Sequence, residues 1–153
     1  MIIMAKIQKK PIESFEDSCT IIDNQSEQDM YFLHGFGSNK EDQLNRKIIL
    51  SELEHENNQK YNYIYCDAIG HGQSYKKGNH SKFHWKETVE EYDKLITKRN
   101  KETILIGHSM GATEAISLGL MNENVKKVFA IAGIHGKEFL KKSELVYMGV
   151  VTN

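Results

Sequence analysis

The stretch Thr103-Ile104-Leu105-Ile106-Gly107-His108-Ser109-Met110-Gly111-Ala112 decides how the rest of the chain is read. An apolar, β-branched run predicts a buried strand over Thr103 to Ile106. Ala112, Ala115, Ile116, Leu118 and Leu120 predict a helix directly after it. The turn between them has the pattern G-x-S-x-G, in which small residues two before and two after a serine relieve crowding where strand becomes helix. Such a turn pushes the serine side chain out above the sheet in a strained backbone conformation, so Ser109 is a candidate nucleophile. The bare pentapeptide also arises by chance as a glycine-flanked turn; its place between a strand and a helix is what gives it weight.

Working outward, short apolar runs bounded by turn residues alternate with amphipathic stretches, as expected when parallel strands are joined by crossover helices. Strands are predicted at Cys19 to Ile22, Met30 to Leu33, Tyr61 to Cys66 and Val125 to Ile131. Leu44, Ile48, Ile49 and Leu53 fall at helical spacing within residues 41–56, with Ser38, Asn39 and Asp42 available at the start. Trp85, Val89, Tyr92, Leu95 and Ile96 predict a second crossover helix over 81–97, and one short helix fits around 138–146. Two loops stand at strand ends: His34-Gly35-Phe36-Gly37 and Asp67-Ala68-Ile69-Gly70-His71-Gly72-Gln73-Ser74.

The 153 residues suffice for one compact unit, with a hydrophobic share of 39% that is modest for a globular chain. Lys and Arg number 20 against 21 Asp and Glu, interspersed along the chain, which argues against a nucleic-acid or charged-membrane partner. The Lys126-Lys127 pair and the lysines of 137–142 are expected on a solvated face. Met1 to Ile7 is too short, and too soon met by Lys6, Lys9 and Lys10, to make a signal peptide, and no stretch approaches the ~20 apolar residues of a membrane span. Cys19 and Cys66 are most simply read as reduced thiols in a cytoplasmic protein.

A serine hydroxyl needs a base to remove its proton and amide donors to hold the oxyanion that forms. The Met110 amide at the helix start and the Phe36 amide in the first loop are the candidate donors. Taken together, the His34-Gly35-Phe36-Gly37 loop, the Asp67 to Ser74 loop and the Gly107 to Gly111 turn, in that order, resemble the α/β-hydrolase superfamily, in particular its esterase, monoacylglycerol-lipase and serine-aminopeptidase-like branches. The resemblance covers roughly residues 18 to 135. It implies a three-layer α/β/α sandwich with a mostly parallel sheet, an oxyanion donor from the first loop, a nucleophile from the third motif, and no metal or organic cofactor. It also implies that Asp67 orders its own loop through backbone amides, and that His34, His71 and His108 serve packing or loop shape.

The chain departs from the family pattern after Ser109. Relatives carry the triad acid after a later strand and the histidine near the end, whereas only 44 residues follow Ser109 here. They hold one histidine, His135, with Glu114, Glu123, Glu138 and Glu144 and no aspartate. His135 follows the strand beside the nucleophile strand, as a base reached from the sheet's carboxyl edge or as a loop or lid residue. His55, His80 and His84 are expected to face solvent; the spacing of His80 and His84 would suit two metal ligands on one helix face, but no third ligand of matching pattern is nearby.

The expectation is therefore a single domain over 1–153, incomplete at its C-terminus, that cleaves a small acyl-containing ester, thioester or amide through a Ser109 acyl-enzyme. Three explanations of the missing acid and base stay open: a fragment of a longer enzyme, a complementing second chain, or a non-catalytic binding or interaction module that kept the fold. Ending the sheet early leaves an unpaired strand edge, so the isolated chain is expected to self-associate or to be only marginally stable.

Overall fold

The structure, a computed structural model, describes residues 12–45, 60–77 and 85–131. Five strands, β1 (Thr20–Ile22), β2 (Gln28–Leu33), β3 (Asn62–Tyr65), β4 (Glu102–His108) and β5 (Val125–Ile131), form one sheet in the order β1-β3-β2-β4-β5. Three helices, α1 (Lys40–Asn45), α2 (Trp85–Arg99) and α3 (Met110–Met121), connect them, with short 3-10 turns at Glu16–Ser18 and Gly72–Lys77. β2, β3, β4 and β5 run parallel; β1 pairs with β3 in the opposite sense. The mostly parallel α/β sheet expected from the sequence is what the chain forms. The expected helix over 41–56 is seen from Lys40 to Asn45, its remainder lying outside the described residues, as do the helix around 138–146 and His55, His80, His84 and His135.

β2 shows why the sheet takes this form. A central parallel strand is covered on both faces and so reads as a continuous apolar run, here Met30-Tyr31-Phe32-Leu33. Because successive side chains alternate in direction, Met30 and Phe32 join Tyr63, Tyr65 and Ile104 on one face. Tyr31 and Leu33 join Ile64, Leu105, Val128 and Ala130 on the other, beneath the two long helices. α2 buries only the stripe Thr88, Val89, Tyr92, Leu95 and Ile96, whereas the shorter α3 buries residues around much of its girth and packs against β4, β5 and α2. α1 packs against β2 and β3.

At the amino end of β2, buried Asp29 accepts hydrogen bonds from Arg99 Nε and Nη2 at the end of α2 and from Asn62 Nδ2 on β3. The bond to Asp29 raises the Arg99 pKa, burial opposing it. A bidentate, doubly bonded ion pair of this kind pins helix to sheet, and removing one partner would leave a buried charge unmatched.

The expectation of two reduced thiols is corrected. Cys19 and Cys66 form a disulfide, with an S–S distance of 2.03 Å. The reason lies in the antiparallel pairing of β1: Thr20 stands opposite Tyr65, so the residues just outside that pair are brought face to face across a sequence separation of 47.

Candidate active site

The strand-to-helix turn has the predicted geometry. Ser109 is exposed at the end of β4, with φ 53° and ψ −115°, outside the regions that non-glycine residues ordinarily occupy. Its backbone is held from both sides: its N–H donates to Ile131 O on β5 at 2.9 Å, and its carbonyl accepts from Ala112 and Thr113 N–H at 3.0 and 3.3 Å. The serine hydroxyl does not cap the helix and is left to face outward.

The flanking glycines are required by close backbone approach. A Cβ on Gly107 would stand 2.2 Å from Gly111 O, and one on Gly111 would stand 2.2 Å from Leu33 O and 2.7 Å from His34 O. The second contact ties the turn to β2, so the elbow and the first loop are one packed unit. Gly35 closes the same gap: a Cβ there would meet Ser109 Cβ at 3.4 Å and His108 Nδ1 at 3.2 Å. Phe36, next along, projects its ring outward with 71% of its surface exposed, edge-on to the His71 ring at 5.5 Å between centroids. Phe36 thus follows directly on a residue that leaves no more than a methyl's room beside Ser109, and Met110 opens α3 immediately after the serine.

Two histidines shape this edge of the sheet. His34 is buried; its Nδ1–H donates to Gly35 O at 2.8 Å, so Nε2 is the acceptor for Ala68 N–H at 3.0 Å. Burial lowers its pKa, keeping the ring neutral in that arrangement. His71 Nε2 accepts Gly37 N–H at 3.1 Å, which directs its Nδ1–H toward Ile69 O at 3.3 Å. Both rings therefore bridge the first loop to the second through backbone groups, and neither offers a nitrogen to Ser109. His108 is exposed beside the serine.

Asp67 organises the second loop, as the resemblance implied. Its two carboxylate oxygens accept Lys40 N–H and Gln73 N–H, each at 2.8 Å, and its carbonyl accepts the Ser74 hydroxyl at 2.9 Å. Gly72, at φ 50°, passes so near that a Cβ would lie 2.4 Å from Asp67 Cγ. Lys40 carried no signal in the sequence yet proves central: its buried Nζ donates to Ser18 O at 2.8 Å and to Gln73 Oε1 at 2.9 Å. Thr88, also unremarked in the sequence, reaches across from α2 to accept Ile69 N–H at 3.1 Å.

Behind the elbow, Glu114 lies fully inside the molecule on α3, with Oε1 unpartnered. Burial alone pushes its pKa up to about 8, so at neutral pH it is a protonated acid; it also helps to raise the Tyr92 pKa, behind burial as the main cause. Among the described residues no group of three or more His, Cys, Asp or Glu is placed to hold a metal ion, and no helix is long and apolar enough to cross a membrane.

The fold has counterparts in known proteins. The alpha/beta hydrolase fold family profile matches residues 30–147. Among solved structures, the chain is similar to MenH from S. aureus, at 19% identity and a TM-score of 0.60 over 79% of this chain and 45% of that one. It is also similar to the Pyrococcus furiosus esterase Pf2001, at 22% and 0.61 over 75% and 43%. A monoacylglycerol lipase from Paleococcus ferrophilus matches at 23% and 0.56 over 71% and 39%. The chain spans less than half the length of each of these structures. No curated protein sequence matches it. With the family profile running from β2 through the elbow and beyond β5, the chain belongs to the alpha/beta hydrolase fold family.

Proposed function

We propose that this chain is a serine hydrolase domain that cleaves an ester, thioester or amide through a covalent intermediate on Ser109. The observation that carries the proposal is the exposed serine at φ 53°, packed against the glycine loop that bears Phe36. In the proposed reaction, a base takes the hydroxyl proton as Oγ attacks the substrate carbonyl. The Phe36 and Met110 amides hold the resulting oxyanion, the leaving group departs with a proton, and water releases the acyl group. The substrate is a small acyl compound, and the reaction calls on no cofactor.

The base and its acid come, in this proposal, from outside the described residues or from a second chain: both ring nitrogens of His34 and of His71 are engaged with backbone, and His108 keeps the packing role that the resemblance gives it. β5 ends the sheet among the described residues, which offers an edge on which a complementing chain or a second copy adds. The same committed histidines favour a second reading, a module that binds an acyl ligand without cleaving it.

Incubation of the purified protein with a fluorophosphonate probe, beside Ser109→Ala and followed by intact mass, separates the two. Labelling of the native protein alone supports the hydrolase. Absence of labelling, with an acyl ligand raising the melting temperature while remaining intact, supports the binding module.

A further inference from the structure

The disulfide closes a ring of contacts that includes the loops around Ser109. Cys19 immediately precedes β1 and Cys66 immediately follows β3. The residue before Cys19, Ser18, accepts Lys40 Nζ; the residue after Cys66, Asp67, accepts Lys40 N–H. Lys40 therefore joins the two half-cystines' neighbours, and the ring runs Cys19, Ser18, Lys40, Asp67, Cys66. From this ring Asp67 also holds Gln73 N–H, and Lys40 opens the helix that follows the Phe36 loop. β1 itself is paired with β3 through only three residues, and the disulfide adds a covalent tie at one end of that pairing.

We infer that the Cys19–Cys66 bond is a reversible redox clasp on the loops flanking Ser109, opened by a dithiol reductant. Cys66 is fully buried whereas Cys19 is half-buried, so the incoming thiolate attacks Cys19 Sγ. Cys66 leaves as a thiolate and takes up a proton. The reductant's second thiol then displaces Cys19 and departs as a disulfide, two electrons having passed to the chain. With the ring open, β1 and the Ser18 carbonyl are free to move from Lys40, and the Asp67 loop loses its tether to the sheet edge. The effect on Ser109 chemistry rests on the hydrolase reading; the clasp itself does not.

Amide hydrogen exchange on the full chain, oxidised and after dithiothreitol, tests this. Thiol alkylation and intact mass first establish the bond. Reduction is expected to speed exchange at least tenfold, an order-of-magnitude figure for local opening, at Lys40, Ala68, Gln73 and β1, and to leave β4 and β5 protected. Cys19→Ser/Cys66→Ser should reproduce the reduced pattern without reductant. Fluorophosphonate labelling should slow on reduction and recover on reoxidation. A redox-dependent exchange pattern with no labelling in either state would leave the clasp standing and count against the hydrolase. Both thiols alkylated without reductant, unchanged loop exchange, or loss of protection throughout β4 and β5 would each overturn the clasp.

Discussion

The elbow and the two loops beside it reach the same end of the sheet by different physics. The elbow is fixed by contact: backbone atoms of β2 and α3 stand where side chains at Gly107 and Gly111 would go, and hydrogen bonds on either side hold Ser109 in its unusual conformation. The loops are fixed by polar atoms, above all the Asp67 carboxylate and the His34 and His71 rings, each spanning segments far apart in sequence. Close packing tolerates no added atom and is insensitive to pH. A hydrogen-bonded loop accepts added volume where space is open but fails when one acceptor is removed.

Substitutions can break that contrast. Gly111→Ala should be the most damaging, because its methyl meets Leu33 O, a backbone atom that cannot rotate away; a loss of about 5 kcal/mol or failure to fold is expected in denaturant titration. A mild effect would show that the elbow can relax and that contact does not fix it.

Glu114 sharpens the comparison by placing a titratable group behind the packed side. Its folded pKa, near 8, lies above the unfolded value, so the folded state holds the extra proton; stability falls as pH rises from about 4.5 and levels off beyond about 8. Relative to Glu114→Gln, the wild type should lose up to about 1.4 kcal/mol per pH unit, roughly 3 kcal/mol in all between pH 5 and 8, read from unfolding midpoints. Parallel curves for the two proteins would mean that the carboxyl finds a charged-state partner.

Asp67→Ala tests the hydrogen-bonded side. It strands the Lys40 and Gln73 amides, and a cost of about 2 kcal/mol is expected, with faster exchange confined to those loops. Gly37→Ala should be smallest. Nothing lies within 4 Å of the added methyl, so only the left-handed φ of 75° opposes it, at about 1 kcal/mol in melting experiments.

Much of this could be seen in the sequence because the relevant signals are local. β5 runs from Val125 to Ile131 as its apolar run predicts, and the elbow glycines announce a strand-to-helix turn within five consecutive residues. The role of Asp67 was accessible through the resemblance. What escaped the sequence depends on pairings across long separations. The reversed direction of β1, and with it the disulfide, depends on which strand β1 meets, and a three-residue strand carries no sign of that. Lys40 looked like any charged residue at a helix start, and its burial follows only from the meeting of Ser18 with the Gln73 loop. Glu114 was legible as a residue but not as a buried acid, because α3 buries nearly all its faces and helical periodicity gives no contrast there.

The strand order carries a kinetic consequence. β4, α3 and β5 are consecutive in the chain and adjacent in space, so this unit can form early from local contacts, with little loop-closure entropy to overcome. Gly111, however, reaches its close contact only with Leu33 of β2, and β2 pairs with β4 across some seventy residues. The packing of Gly111 against β2 is therefore expected to complete late, when β2 docks, after the Ser109 hydrogen bonds within the early unit have formed. Truncating Leu105 in the early unit should slow folding, whereas truncating Leu33 should chiefly speed unfolding.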